Sequence, residues 1–136
     1  MENCIFCKIV KGELPSTKVY EDEKTLAFLD IDPVNIGHTL VIPKEHFVNI
    51  YETPEKTLLD MMKVVKKLSE AIKSGLKSDG INVTMNNDPA AGQIIFHSHI
   101  HIIPRITDDG FGVWKGKNPY KGNEKEEVAK QIARAL

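Results

Sequence analysis

Between Gly92 and Arg105 the chain reads Gly-Gln-Ile-Ile-Phe-His-Ser-His-Ile-His-Ile-Ile-Pro-Arg. His97, His99 and His101, three of the five histidines in the chain, recur at every second position inside an apolar, β-branched run. That period belongs to a strand, not a helix. On a strand the three imidazoles share one face while Ile100 and Ile102 take the other, so one face is chemical and the other is core. An ordinary solvated strand face carries Lys, Glu or Thr. Histidine titrates near neutrality, ligates zinc and acts as a nucleophile, and three of them in register point to chemistry.

The rest of the chain sets the frame for that strand. At 136 residues it is the size of one ordinary domain, expected to span 1–136. The formal net charge of −1 leaves no basic excess to hold a nucleic-acid backbone, so a nucleotide partner is expected to be small. Met-Glu-Asn-Cys at the start is not a basic n-region, and no apolar run reaches the length of a membrane span, which predicts a cytoplasmic protein. In a reducing compartment Cys4 and Cys7 are not expected to form a structural disulfide. Their two-residue spacer suggests metal or redox chemistry.

Element by element the pattern mixes α and β without linkers or repeats. Lys18–Glu21 and Thr25–Asp30 read as short strands flanking the acidic turn Glu21-Asp22-Glu23-Lys24, and 37–43 reads as a third, together an antiparallel meander. Thr53-Pro54 reads as a helix entrance, with Thr53 as N-cap. Leu58, Met61, Met62, Val65, Leu68, Ile72 and Leu76 follow at helical spacing, the methionines as core filler. Residues 81–85 form a strand before the Asn86-Asn87-Asp88-Pro89 turn. After the histidine strand, Asn123 caps a last short helix whose Val128, Ile132 and Leu136 face is expected to dock.

Cys4-Ile5-Phe6-Cys7 is half of a zinc site. A thioredoxin-like redox motif would follow a strand and open a helix, and no strand precedes this one. Two more ligands complete a tetrahedron, with His46 and His97 the leading candidates. Because same-face strand residues lie roughly 6.6 Å apart, His97 can face a metal while His99 faces a substrate beside it.

Gly92-Gln93 followed by His97-Ser98-His99-Ile100-His101-Ile102-Ile103 resembles the signature of the histidine triad superfamily of nucleotide hydrolases and transferases. The segments 6–10, 19–22, 26–31 and 37–44 resemble its other blocks in order, and Cys4, Cys7, His46 and His97 resemble the ligand set of a zinc-binding subgroup. The resemblance implies an α+β fold: an antiparallel meander of about five strands, a long helix and short terminal helices, helices on one side, and dimerisation through the long helix and one sheet edge.

Carried over by motif, it also implies roles. His99 is the nucleophile toward the α-phosphorus of a purine nucleotide such as AMP or GMP, its other ring nitrogen held on a fixed acceptor. His101 meets the phosphate oxygens, and His38 moves or positions a proton near the leaving group. Asp30 accepts from the ribose hydroxyls; Ile31, Phe28, Phe6 and Ile9 hold the base; Asn86 and Gln93 reach the phosphates, and Gly92 belongs to the same substrate-binding set. One departure stands out: Ile94 follows Gly-Gln where many relatives carry Ser or Thr. The expected activity is that of a zinc-containing, nucleoside phosphoramidase-like enzyme. Dinucleoside polyphosphate hydrolysis, a non-enzymatic nucleotide sensor, and a single catalytic zinc shared by the alternating histidines are the competing readings.

Overall fold

The computed structural model describes residues 2–112 and 114–136. Its elements run α1 (Ile5–Val10), β1 (Lys18–Glu21), β2 (Thr25–Leu29), β3 (Thr39–Pro43), α2 (Glu55–Gly75), β4 (Gly80–Thr84), β5 (Ile100–Arg105) and α3 (Glu124–Ala135). The five strands form one antiparallel sheet in the order β1-β2-β3-β5-β4. The meander holds for β1 to β3. The chain then crosses over through α2 to lay β4 at the far edge, and β5 returns to fill the gap.

The alternating apolar residues build two cores, one on each face. Ala27, Val41, Ile100 and Ile102 meet Met61, Val64, Val65 and Leu68 of α2. Leu26, Phe28, Leu40 and Ile42 meet Phe6, with Ile9, Val10 and Ile95 packed around them. Helices therefore cover both faces, and the expectation of helices on one side is corrected. A two-turn α1 was too short to weigh as a layer in the sequence, yet Phe6 makes it one.

Three local expectations also change. The histidine strand begins only at Ile100, because its partner β3 ends at Pro43, which has no N–H for the ladder, and the carbonyl of Pro43 is taken by the His97 ring. Thr53 does not cap α2. Pro54 holds that position, and the Thr53 hydroxyl instead donates to the Asn49 carbonyl at 2.7 Å and lies 2.9 Å from Ser98 Oγ. Asn123 precedes α3 without a side-chain cap, and no residue of α3 is buried; Ile132 and Leu136 are exposed. Amphipathicity reveals a face that can be covered, but not what covers it.

Candidate functional site

Cys4 and Cys7 sit on the first turn of α1, where Cys4 is the N-cap and its sulfur accepts the Cys7 N–H at 3.4 Å. The turn brings both sulfurs under the loops that carry His46 and His97. Cys4 Sγ lies 3.4 Å and Cys7 Sγ 3.6 Å from His97 Nδ1, and Cys7 Sγ lies 3.3 Å from His46 Nδ1. In a tetrahedral zinc site with Zn–S of about 2.3 Å and Zn–N of about 2.0 Å, a sulfur–nitrogen edge is about 3.5 Å. The donor chemistry fits as well. His97 Nε2 lies 2.8 Å from the Pro43 carbonyl, which can only accept, so Nε2 carries the proton and Nδ1 turns its lone pair toward the sulfurs. Burial lowers the His97 pKa to about 4, which keeps the ring neutral and able to ligate. Burial and then the neighbouring Cys4 push the Cys7 thiol up, the state a bound cation reverses. These four residues can hold a metal ion.

Two residues on, His99 points elsewhere. Its Nδ1 donates to the His97 carbonyl at 2.6 Å, which leaves Nε2 unprotonated in the neutral ring. Burial, the largest influence, lowers its pKa and keeps it neutral at pH 7. Phe6 stacks edge-on against it with centroids 5.3 Å apart, fixing the ring plane.

A second pair lies behind. Val34 N–H donates to His38 Nδ1 at 3.1 Å, and His38 Nε2 lies 2.9 Å from His101 Nδ1. Assigned from these partners, neutral His38 carries its proton on Nε2 and gives it to His101 Nδ1, and neutral His101 carries its proton on Nε2. Burial lowers the pKa of both, that of His101 to about 4 with His99 and His38 adding to the effect. Asp30 Oδ2 is 3.6 Å from His38 Nε2, and Asp30 Oδ1 accepts the Asp32 N–H. Asp30, His38 and His101 could enclose an ion by distance alone. The Val34 bond argues against it, since a neutral His38 with Nδ1 engaged as acceptor has no lone pair at Nε2. The three triad histidines are also parted among different partners, which disfavours one metal shared by all of them.

Both His99 and His101 open onto a cavity of about 380 Å³, whose walls include Phe6, Ile9, Phe28, Asp30, Asn86 and Gly92. Ile31, at 99% exposure, and Ile94, at 82%, form its lip, where a ligand in the cavity would cover them. Gly92 holds φ +87°, a left-handed turn that brings the loop back beside the Asn86 amide. The cavity does not take in every expected residue. Gln93 is buried outside it: its Oε1 accepts the Asp88 N–H, and its Nε2 donates to the carbonyls of Val48 and Ile95. It shapes the loop rather than facing the cavity. His38 stands behind His101, 4% exposed.

Leu40 also lines the cavity, and the two-residue alternation from His38 through Leu40 to Ile42, leading into β3, is the sequence signal for it; Leu40 pairs with His101 across the sheet. The Val34 N–H and the Pro43 carbonyl have no sequence signal, because every residue carries a carbonyl and every residue but proline an N–H.

This architecture, an open five-stranded antiparallel sheet with a long helix on one face and a histidine cluster at one end of its central strands, is an α+β fold. The chain belongs to the HIT family: the HIT domain model matches residues 11–108. The crystal structure of a HIT family member from Bacillus subtilis superposes with a TM-score of 0.91 at 48% identity, over 98% of this chain and 97% of that one. An adenylylsulfatase, HINT3, of Arabidopsis thaliana is 48% identical over 107 residues, covering 79% of this chain and 54% of that protein. A zinc-bound histidine triad family protein from Mycobacterium smegmatis superposes with a TM-score of 0.78 at 36% identity, over 99% of both chains.

Proposed function

We propose that this chain hydrolyses or transfers purine nucleotides at the α-phosphate, as a nucleoside phosphoramidase-like enzyme with His99 as nucleophile. The observation that carries the reading is the His99 Nδ1 bond to the His97 carbonyl, which turns an unprotonated Nε2 to a cavity that Asp30 and the apolar walls make fit for a nucleoside. His99 Nε2 attacks phosphorus and forms an N–P bond as the bond to the leaving amine breaks. The amine leaves with a proton from the His101 side, where the His38–His101 pair is aligned to deliver and recover it. Water then attacks phosphorus, the N–P bond breaks, and the nucleoside monophosphate departs with His99 restored.

The apolar walls grip either purine by its faces, so adenine and guanine are both accepted. A relative named adenylylsulfatase favours, as a second reading, a leaving group that departs as an anion. Ile94 removes a hydroxyl from the cavity lip and with it one means of stabilising the leaving group. Zinc is the metal that two thiolates and two imidazoles in this geometry suit, and bound by Cys4, Cys7, His46 and His97 it would contribute folding energy rather than chemistry. The protein acts as a cytoplasmic homodimer, paired through α2 and the β4 edge, where Leu59, Met62 and Val83 border an apolar groove of about 520 Å³. Among the described residues no helix is long and apolar enough to cross a membrane.

The test is the His99→Gly variant with a nucleoside phosphoramidate. Turnover is expected to vanish while AMP still binds, and brief reaction of the parent is expected to leave phosphorus on His99 in the mass spectrum. Turnover within tenfold of the parent would reject the covalent mechanism.

A further inference from the structure

The donor that fixes the His38 tautomer is a backbone N–H, and it sits on an exposed turn. Residues 31–36 are exposed except Asn35, which is half-buried. Its carbonyl accepts the His38 N–H at 3.0 Å. Its amide Nδ2 reaches the far end of β5, donating to the Pro104 carbonyl at 2.9 Å and to Asp109 Oδ2 at 2.8 Å. Asp109 is in turn locked. Its Oδ1 accepts from Arg105 Nη2 at 2.7 Å and from the Phe111 N–H, and its Oδ2 accepts from the Ile106 N–H. The Arg105 guanidinium beside it holds the Asp109 carboxyl far below the usual carboxylate range, so it remains a charged acceptor. Nearby, Gly37 at φ +96° presses the turn against Leu76 and Pro104, where a Cβ would collide with the Leu76 side chain.

We propose that Asn35, anchored by Asp109, is a positioning residue that sets the tautomer of the His38–His101 pair. The inference rests on the proposed function for its consequence in catalysis, but its structural part stands alone. The amide staples the turn to β5, the staple places the Val34 N–H against His38 Nδ1, and that bond makes His38 Nε2–H the donor to His101 Nδ1. His101 must then present Nε2–H to the cavity. Without the staple the Val34 N–H can leave, and the proton on His38 can move to Nδ1. Two lone pairs would then face each other across 2.9 Å unless His101 also switched, which would strip the proton from the nitrogen that faces the substrate. Neither Asn35 nor Asp109 lines the cavity, so neither touches substrate.

Long-range ¹H–¹⁵N correlation spectra of the zinc-loaded, ¹⁵N-labelled protein near pH 7.5 read the tautomers directly. The parent is expected to show both His38 and His101 protonated at Nε2. Asn35→Ala should give mixed tautomers for both rings, lower kcat by about tenfold to a hundredfold, and leave KM within about twofold. In a His38→Ala background the same substitution should cost nothing further, because the residue acts through His38. Asp109→Asn, which keeps the shape but weakens the anchor, should move tautomers and kcat the same way by less, and it serves if Asn35→Ala fails to fold. Unchanged tautomers in both variants would overturn the proposal, as would an Asn35→Ala loss of equal size with His38 absent. If the parent turns over no nucleotide substrate, the proposed function fails while the spectra still decide this point.

Discussion

His97, His99 and His101 are identical side chains put to three uses, His97 and His101 with the proton on Nε2 and His99 with it on Nδ1, and a neighbouring acceptor or donor sets each one. The Pro43 carbonyl frees Nδ1 of His97 for a metal, the His97 carbonyl frees Nε2 of His99 for a substrate, and His38 protonates the relay that ends at Nε2 of His101. The buried pair has a pH signature. A free imidazole titrates near 6.5, whereas His101 in the fold titrates at about 4, so between these values the unfolded chain holds the extra proton. Its contribution to stability is complete above about pH 6.5 and is lost as pH falls toward about 4. The thermal midpoint should drop across that window, and the ¹H NMR titration of the His101 ring should have its midpoint near 4, not 6.5. The Asp30 carboxylate has its own test. If it accepts from the ribose, deoxyribonucleotides should bind more weakly by about 1–3 kcal/mol, the cost of one unsatisfied buried polar group. Calorimetric titration of AMP and dAMP should show that gap in the parent and not in Asp30→Ala.

At the level of elements, α1 does more than its six residues suggest. It caps itself with Cys4, delivers Cys7 to the same donor cluster, and inserts Phe6 between β2 and the histidine rings. The Cys–His donor cluster and the cavity wall thus share one structural unit. Cys7→Ser should abolish stoichiometric zinc, which elemental analysis of the purified protein expects at about one per chain, and should lower the thermal midpoint because energy of metal binding at a structural site is folding energy. Chelation should inactivate by way of the lost α1 contacts, on the timescale of unfolding. If activity vanishes at once with the fold intact and returns on adding zinc, the metal takes part in the chemistry after all. The loop between β4 and β5 is the other determining element. Gln93 ties it to the segment near Val48 and Asn87 accepts the Ile50 N–H at 2.7 Å, so the approach to His97 is braced before β5 begins.

For the whole molecule the proposed pairing rests on the apolar face of α2 beside β4. Leu59 and Met62 are exposed there, and β4 has an unpaired edge, a combination that a second copy can cover by adding sheet to sheet and helix to helix. Met62→Lys should shift the mass measured by light scattering from two chains to one at micromolar concentration. A dimer that persists unchanged would move the interface elsewhere, for which the exposed face of α3 is available.

The sequence by itself determined the strands, the long helix, the two-residue rhythm of the histidines and the Cys-x-x-Cys half-site, because hydrophobic period and turn chemistry are local properties written residue by residue. It also carried the family, whose ordered motifs spread across the chain. It did not determine that β5 lies between β3 and β4, that Phe6 makes α1 a second layer, or that Gln93 turns away from the cavity, since these depend on which surfaces meet after the crossover. The tautomers were decided by tertiary structure alone. The groups that set them are the backbone of Val34, Pro43 and His97, and a backbone N–H or carbonyl is the same in every sequence until the fold aims it.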